Sequence, residues 1–190
     1  MAGIRIWTIG HSTRPLDELL ALLAQYGIRS IADVRRFPGS RRNPQYGAAA
    51  LQVSLARCDI EYHGLPLLGG RRRPVPNSPN TVWRNTSFRG YADYMETEAF
   101  SEGLAQLLEL ARQASTTLMC AEAMWWRCHR ALIADALRVR GFEVVHILDE
   151  CHAVAHPWTA PARIVDGRLT YGAGENVDSR GETAAGNDAR

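Results

Sequence analysis

Two rhythms of apolar positions alternate along the chain. Ile4 to Ile9 is a short apolar run of strand type, closed by Gly10-His11-Ser12. Leu16, Leu19, Leu20 and Leu23 then recur at helical spacing, with Ser12 or Thr13 as cap, Pro15 in the first turn and Gly27 as the stop. Ser30 to Val34 reads as a second strand. Such a βαβ unit calls for parallel pairing and a right-handed crossover. Further on, the pattern predicts a helix over about 48–57, a short strand near 60–62, a short helix from Tyr91 to Met95 and a longer one from Thr97 to about Gln113. A strand from Thr116 to Ala121, a helix from Arg127 to Arg140 stopped by Gly141, and a strand from Glu143 to Leu148 complete it. Strands alternating with helices specify an α/β fold: a three-layer, Rossmann-like open sheet, mostly parallel, with helices on both faces.

Two stretches break the rhythm. His63 to Ser87 carries Pro66, Pro74, Pro76, Pro79 and Gly69-Gly70; so long a loop in a compact domain is a lid, a binding loop or a disordered segment. From about Gly172 the chain turns polar and Gly-rich. The expectation is one α/β domain over 1–171 and a flexible tail over 172–190.

Composition narrows the class. A length of 190 residues suits one domain with a substantial core. No apolar run approaches the roughly 20 residues of a membrane span, and the N-terminus lacks the apolar stretch of a signal peptide. We therefore expect a soluble cytoplasmic protein. The net charge of +2 does not make the whole molecule attractive to polyanions. All 22 basic residues are arginine; a bias that uniform carries no function by itself, but two local clusters do matter. Arg35, Arg36, Arg41 and Arg42, and then Arg71, Arg72 and Arg73, offer guanidinium forks suited to phosphate or carboxylate groups. With no export signal, Cys58, Cys120, Cys128 and Cys151 do not read as a disulfide framework.

In open parallel sheets, ligands sit outside the carboxyl ends of the strands. The polar groups at those ends are Gly10, His11 and Ser12 for the first strand, then Asp33 and Arg35, then Cys120 and Glu122, then His146 and Asp149. Cys128-His129-Arg130 opens the next helix, whose buried stripe is expected to run His129, Ile133, Ala136 and Leu137. The free amides of that helix start favour an anion, which Arg127 and Arg130 would hold. Each residue also has a structural alternative. Cys120 suits a small core position, and Cys128 is drawn toward reactivity by the helix start. Glu122 can bridge to Arg130 or Arg35, Asp33 can bridge to Arg35 or cap a helix, and a backbone carbonyl can satisfy His129. Metal ligation is not expected. The Cys120–Cys128 gap is not a zinc-finger spacing, and adjacent Cys128 and His129 are expected on different sides of a helix.

The sequence also resembles the bacterial and archaeal family called domain of unknown function 488. The motifs are Thr8-Ile9-Gly10-His11-Ser12, Asp33-Val34-Arg35 with Pro38 and Ser40, Leu68-Gly69-Gly70 and Gly90-Tyr91-Ala92-Asp93-Tyr94-Met95. Leu118-Met119-Cys120-Ala121-Glu122, Cys128-His129-Arg130 and His146-Ile147 come after them. Together they span about residues 4–150, with Met124-Trp125 standing where the family often has a proline before Trp126. The resemblance implies an α/β fold and a site built from these motifs, and it implies no reaction.

The leading functional expectation is an enzyme acting on a nucleotide, nucleic acid or other phosphate-bearing ligand, a hydrolase or transferase of glycosidic or phosphoester type, between which the sequence does not choose. Glu122 or Asp33 would be nucleophile or general base, with His11 and His129 as acid–base partners. Ser12, Arg35, Arg127, Arg130 and the Arg71–Arg73 loop would hold phosphate. This chemistry needs no cofactor. The alternatives are a non-catalytic binding module using the same rim, and thiol-based redox or sulfur chemistry at Cys120 and Cys128.

Overall fold

A computed structural model describes residues 3–39 and 41–172; Ser40 and the expected tail from residue 173 on lie outside the described residues. Six strands form one sheet in the order β3-β2-β4-β1-β5-β6. They are β1 (Arg5–Gly10), β2 (Ser30–Asp33), β3 (Glu61–Gly64), β4 (Thr116–Cys120), β5 (Glu143–Ile147) and β6 (Ala153–Ala155). All pair in parallel except β6, which runs antiparallel to β5 through Val145↔Ala155 and Ile147↔Ala153. A separate hairpin joins β7 (Arg163–Val165) to β8 (Arg168–Thr170).

Alternation along each strand builds two apolar layers. Ile9, Ile31, Met119 and Ile147 point to one face, under Leu19 and Leu23 of α1 (Leu16–Gln25) and Leu51 and Leu55 of α2 (Ala48–Ala56). Ile6, Ala32, Leu118 and Val144 point to the other. There they meet Tyr91 of α3 (Thr86–Tyr94), Leu104 and Leu107 of α4 (Glu98–Gln113), and Ile133 and Leu137 of α5 (Arg130–Val139). The expected three-layer α/β sheet is therefore the one observed. No helix among the described residues is long and apolar enough to cross a membrane.

The topology also selects a crevice. From β1 the chain steps outward over β4 to β2 and then β3, and returns to lay β4 beside β1. From β4 it crosses by α5 to β5 on the far side of β1. Connections leave β1 and β4 in opposite directions, which marks the carboxyl edge of the sheet as the place for a crevice. Between β1 and β4 themselves that edge is closed, since the His11 and Ser12 amides donate to the Cys120 and Ala121 carbonyls.

Element boundaries differ from the expected ones in four places. Ser12 and Thr13 do not cap α1: Ser12 adopts a left-handed φ of 45°, its N–H bonds the Ala121 carbonyl, and Pro15 holds the cap position. The helix expected at Tyr91 starts at Thr86, because Asn85 caps it by accepting from the Ser87 and Phe88 amides. The helix expected from Arg127 begins at Arg130, since Trp125–Arg127 forms a separate 3-10 turn and Cys128 is extended. The short, exposed β6 and the β7–β8 hairpin were not expected at all.

Candidate functional site

A cleft of about 450 Å³ lies over the carboxyl ends of β2 and β4. Of the ten residues singled out from sequence, Arg35, Cys120, Glu122, Arg127, Cys128 and His129 line it. The other four, His11, Ser12, Asp33 and Arg130, are not among its lining residues and are engaged elsewhere.

Asp33 is 1% exposed and fully occupied. Its Oδ1 accepts from the Arg35 amide at 3.0 Å and Nε at 2.8 Å; its Oδ2 accepts from Arg35 Nη2 at 2.5 Å and from the Tyr62 hydroxyl at 2.7 Å. A carboxylate so saturated has no lone pair directed at the cleft, and it fixes the plane of the Arg35 guanidinium instead. Arg35 Nη1 in turn donates to His11 Nε2 at 3.2 Å, while His11 Nδ1–H donates to the Ser12 carbonyl at 3.0 Å. The ring stacks on Tyr46 with centroids 4.0 Å apart. Burial pulls the His11 pKa down to about 4; its bond to the Ser12 carbonyl opposes this, and the charge of Arg35 adds to it. Neutral and bonded at both nitrogens, His11 supports Arg35 and is not exposed to a ligand.

Arg130, at 1% exposure, holds the loop between β4 and α5. Its Nη2 donates to the carbonyls of Glu122 and Ala123, and its Nε reaches Cys128 Sγ at 3.4 Å. The salt bridge from Glu122 to an arginine does not form. Arg130 binds the Glu122 backbone, and among the described residues the Glu122 carboxylate has no hydrogen-bond partner. The loop closes over Gly10 so tightly that a Cβ there would lie 1.9 Å from the Glu122 carbonyl oxygen.

At the cleft floor three groups meet. The Sγ atoms of Cys120 and Cys128 and a ring nitrogen of His129 all lie within 4.8 Å of one another. His129 Nε2–H donates to the Val34 carbonyl at 3.1 Å, which turns Nδ1 toward Cys128 Sγ at 3.5 Å. The expectation that Cys128 and His129 diverge is thus overturned. Both precede the first turn of α5, and the change from an extended Cys128 (φ −128°, ψ 148°) to a helical His129 (φ −56°, ψ −14°) brings their side chains together. Burial pushes the Cys128 thiol up, but the hydrogen bond from Cys120, the nearby His129 and the charge of Arg130 outweigh it and hold Cys128 well below the ordinary thiol range. Cys120 is raised, first by its hydrogen bond to Cys128 and then by burial. The two thiols therefore titrate as a pair, with Cys128 the more acidic member. Cys58 and Cys151 are exposed and lie outside the cleft lining.

The long loop supplies the opposite wall. It is firmly anchored: Tyr91 and Tyr94 donate to the carbonyls of Leu68 and Leu67 at 2.7 and 2.6 Å. Asp93 receives Val75 N, Ser78 Oγ and Asn80 Nδ2 at 2.9, 2.5 and 2.8 Å. The loop thereby brings Arg71 to the cleft beside Arg36, whose Nη1 donates to the Arg71 carbonyl at 3.1 Å. A Cβ on Gly70 would stand 2.7 Å from His129 Nδ1, so this glycine keeps the space beside that nitrogen clear. Sequence reasoning missed Phe37, Asn85 and Phe88 as cleft residues. The capping signal of Asn85 was the one cue that would have brought the last two to this wall.

Residues 15–137, well over half of the chain, match the family model described as domain of unknown function DUF488. No curated protein and no solved structure matches the chain.

Proposed function

The chain belongs to the DUF488 family, and from that premise we propose that it is an enzyme acting on a phosphate-bearing ligand, a nucleotide or nucleic acid, bound in this cleft. One observation carries the reading. The exposed Glu122, its carboxylate without a hydrogen-bond partner among the described residues, shares the cleft with Arg35, Arg36, Arg71 and Arg127. Arg36, Arg71 and Arg127 suit an anionic ligand, the charge of Arg35 being already paired with Asp33, and a carboxylate in the same cleft suits proton transfer during hydrolysis or group transfer. Asp33, His11 and Arg130 then serve as positioning groups. The first two orient Arg35, and the third holds the Glu122 loop.

Exposed aromatic surface supports a base-bearing ligand. Phe37 is 65% exposed at the cleft and Trp126 is 50% exposed on the adjoining loop, and both offer a stacking face. Turnover of a panel of nucleotides, phosphate esters and short oligonucleotides tests the proposal. We expect Glu122→Gln to lower kcat by about 10²-fold or more with binding retained. Tight binding of panel members without any turnover by the wild type would favour a binding module instead. A second reading, covalent chemistry at Cys128, is favoured by His129 Nδ1, which lies 3.5 Å from Cys128 Sγ and helps lower that thiol. It requires one fast-reacting sulfur in the protein as purified.

A further inference from the structure

We propose that Cys120, Cys128 and His129 form a three-ligand centre for a thiophilic divalent cation, Zn²⁺ foremost, whose remaining coordination position faces the arginine-lined cleft. Tetrahedral zinc with bonds of about 2.3 Å to sulfur and about 2.0–2.1 Å to nitrogen sets a sulfur–nitrogen edge of about 3.6 Å. The Cys128 Sγ to His129 Nδ1 separation is 3.5 Å, and Cys120 Sγ lies within 4.8 Å of both ligand atoms. Closing that third corner onto an ion needs only a small inward movement.

The surroundings match what a metal-binding imidazole requires. His129 places its other nitrogen on the Val34 carbonyl at 3.1 Å, the backbone partner that commonly fixes the tautomer and ring plane of a ligating histidine. Gly70 leaves the space beside Nδ1 free of a Cβ. Arg130 Nε, 3.4 Å from Cys128 Sγ, supplies an N–H to the sulfur. The ligands come from two rigid positions. Cys120 ends β4, which is paired on both sides, and Cys128 and His129 lead directly into α5. Two thiolates balance a divalent ion, so the centre needs no fourth acidic ligand.

No fourth His, Cys, Asp or Glu joins the group among the described residues. Three protein ligands with an open position characterise catalytic zinc, whereas structural zinc takes four. Such an ion lowers the pKa of a bound water to about 7, and Glu122 is the one carboxylate lining the same cleft among the described residues. What the ion does chemically rests on the function proposed above; whether it binds does not.

The test uses the full chain, purified without chelator, then stripped and titrated with Zn²⁺ or Co²⁺. We expect about one equivalent of metal per chain. The Co²⁺ form should show an intense near-ultraviolet sulfur-to-cobalt charge-transfer band, and zinc should block alkylation of Cys120 and Cys128. Cys120→Ser, Cys128→Ser and His129→Ala should each weaken binding by more than the roughly tenfold cost of an outer-shell change; Glu122→Gln should leave stoichiometry and spectrum intact. Should the cysteine variants misfold, the wild-type cobalt spectrum still decides. Cobalt bound without the charge-transfer band, or a folded wild type that binds no metal and alkylates at both cysteines, overturns the proposal. Metal bound with no turnover on any phosphate-bearing substrate would instead overturn the function proposed for the cleft.

Discussion

The Asp33 carboxylate and the Arg35 guanidinium are both nearly inaccessible to water, and each would be a costly buried charge alone. Four bonds from Arg35 and one from Tyr62 make Asp33 a positioning group, so its loss should register first in stability. We expect Asp33→Ala to lower the unfolding free energy by about 3 kcal/mol or more, measured by urea denaturation. A variant of wild-type stability that is inactive would mean that Asp33 acts on the ligand directly. Gly10 makes the same point through space. With the Glu122 carbonyl oxygen 1.9 Å from where a Cβ would stand, Gly10→Ala must displace the whole loop between β4 and α5. Its cost should reach about 3 kcal/mol, read in the same urea experiment. The sequence pointed to Asp33, Arg35 and His11 as polar residues at strand ends, but not to their mutual saturation. That depends on Tyr62 and Tyr46, which come from distant parts of the chain and carry no polar signature of their own.

Between elements, a buried polar chain ties α5 and the terminal hairpin to the sheet. Thr8 Oγ1 meets His146 Nδ1 at 2.6 Å, His146 Nε2 meets His156 Nδ1 at 2.8 Å, and His156 Nε2 meets Asp135 Oδ1 at 3.0 Å. Thr159 and Tyr171 complete the shell of Asp135, and Trp125 stacks on His146 with centroids 4.3 Å apart. Burial, with the charges of His156 and Arg130, pulls the His146 pKa from 6.5 down to about 2. The unfolded chain therefore binds a proton near pH 6.5 that the folded chain refuses. Stability from this group is complete above about pH 6.5 and falls steadily below it, by about 2 kcal/mol at pH 5. His146→Gln, a neutral replacement, should flatten the acid side of a stability–pH profile; an unchanged slope would show that His146 titrates normally. Tyr171→Phe should cost about 1.5–3 kcal/mol by removing a donor to buried Asp135. Of this network only His146 stood out beforehand, as a polar group at a strand end; its partners did not, because β6 is only Ala153–Ala155 and the hairpin offers no apolar rhythm.

At the scale of the whole molecule, the parallel core and the edge of the sheet that carries the cleft were both legible. Strand-type runs alternated with helical stripes, and polar residues gathered where those runs ended. Which of those residues share a cleft was not, because that turns on where α5 starts. A start at Arg127 would separate Cys128 from His129, whereas the observed start at Arg130 joins them. The long loop likewise gave no sign that Tyr91, Asp93 and Tyr94 would fasten it, and through it Arg71, to the far wall. The proposed ligand position is therefore the gap between that loop and the carboxyl ends of β2 and β4. A crystal structure of the protein with inorganic pyrophosphate tests this most directly. We expect the anion in the cleft, held by Arg71 and Arg127 with Arg35 behind it and Glu122 at its side. Pyrophosphate bound elsewhere, with the cleft arginines untouched at saturating concentration, would contradict it.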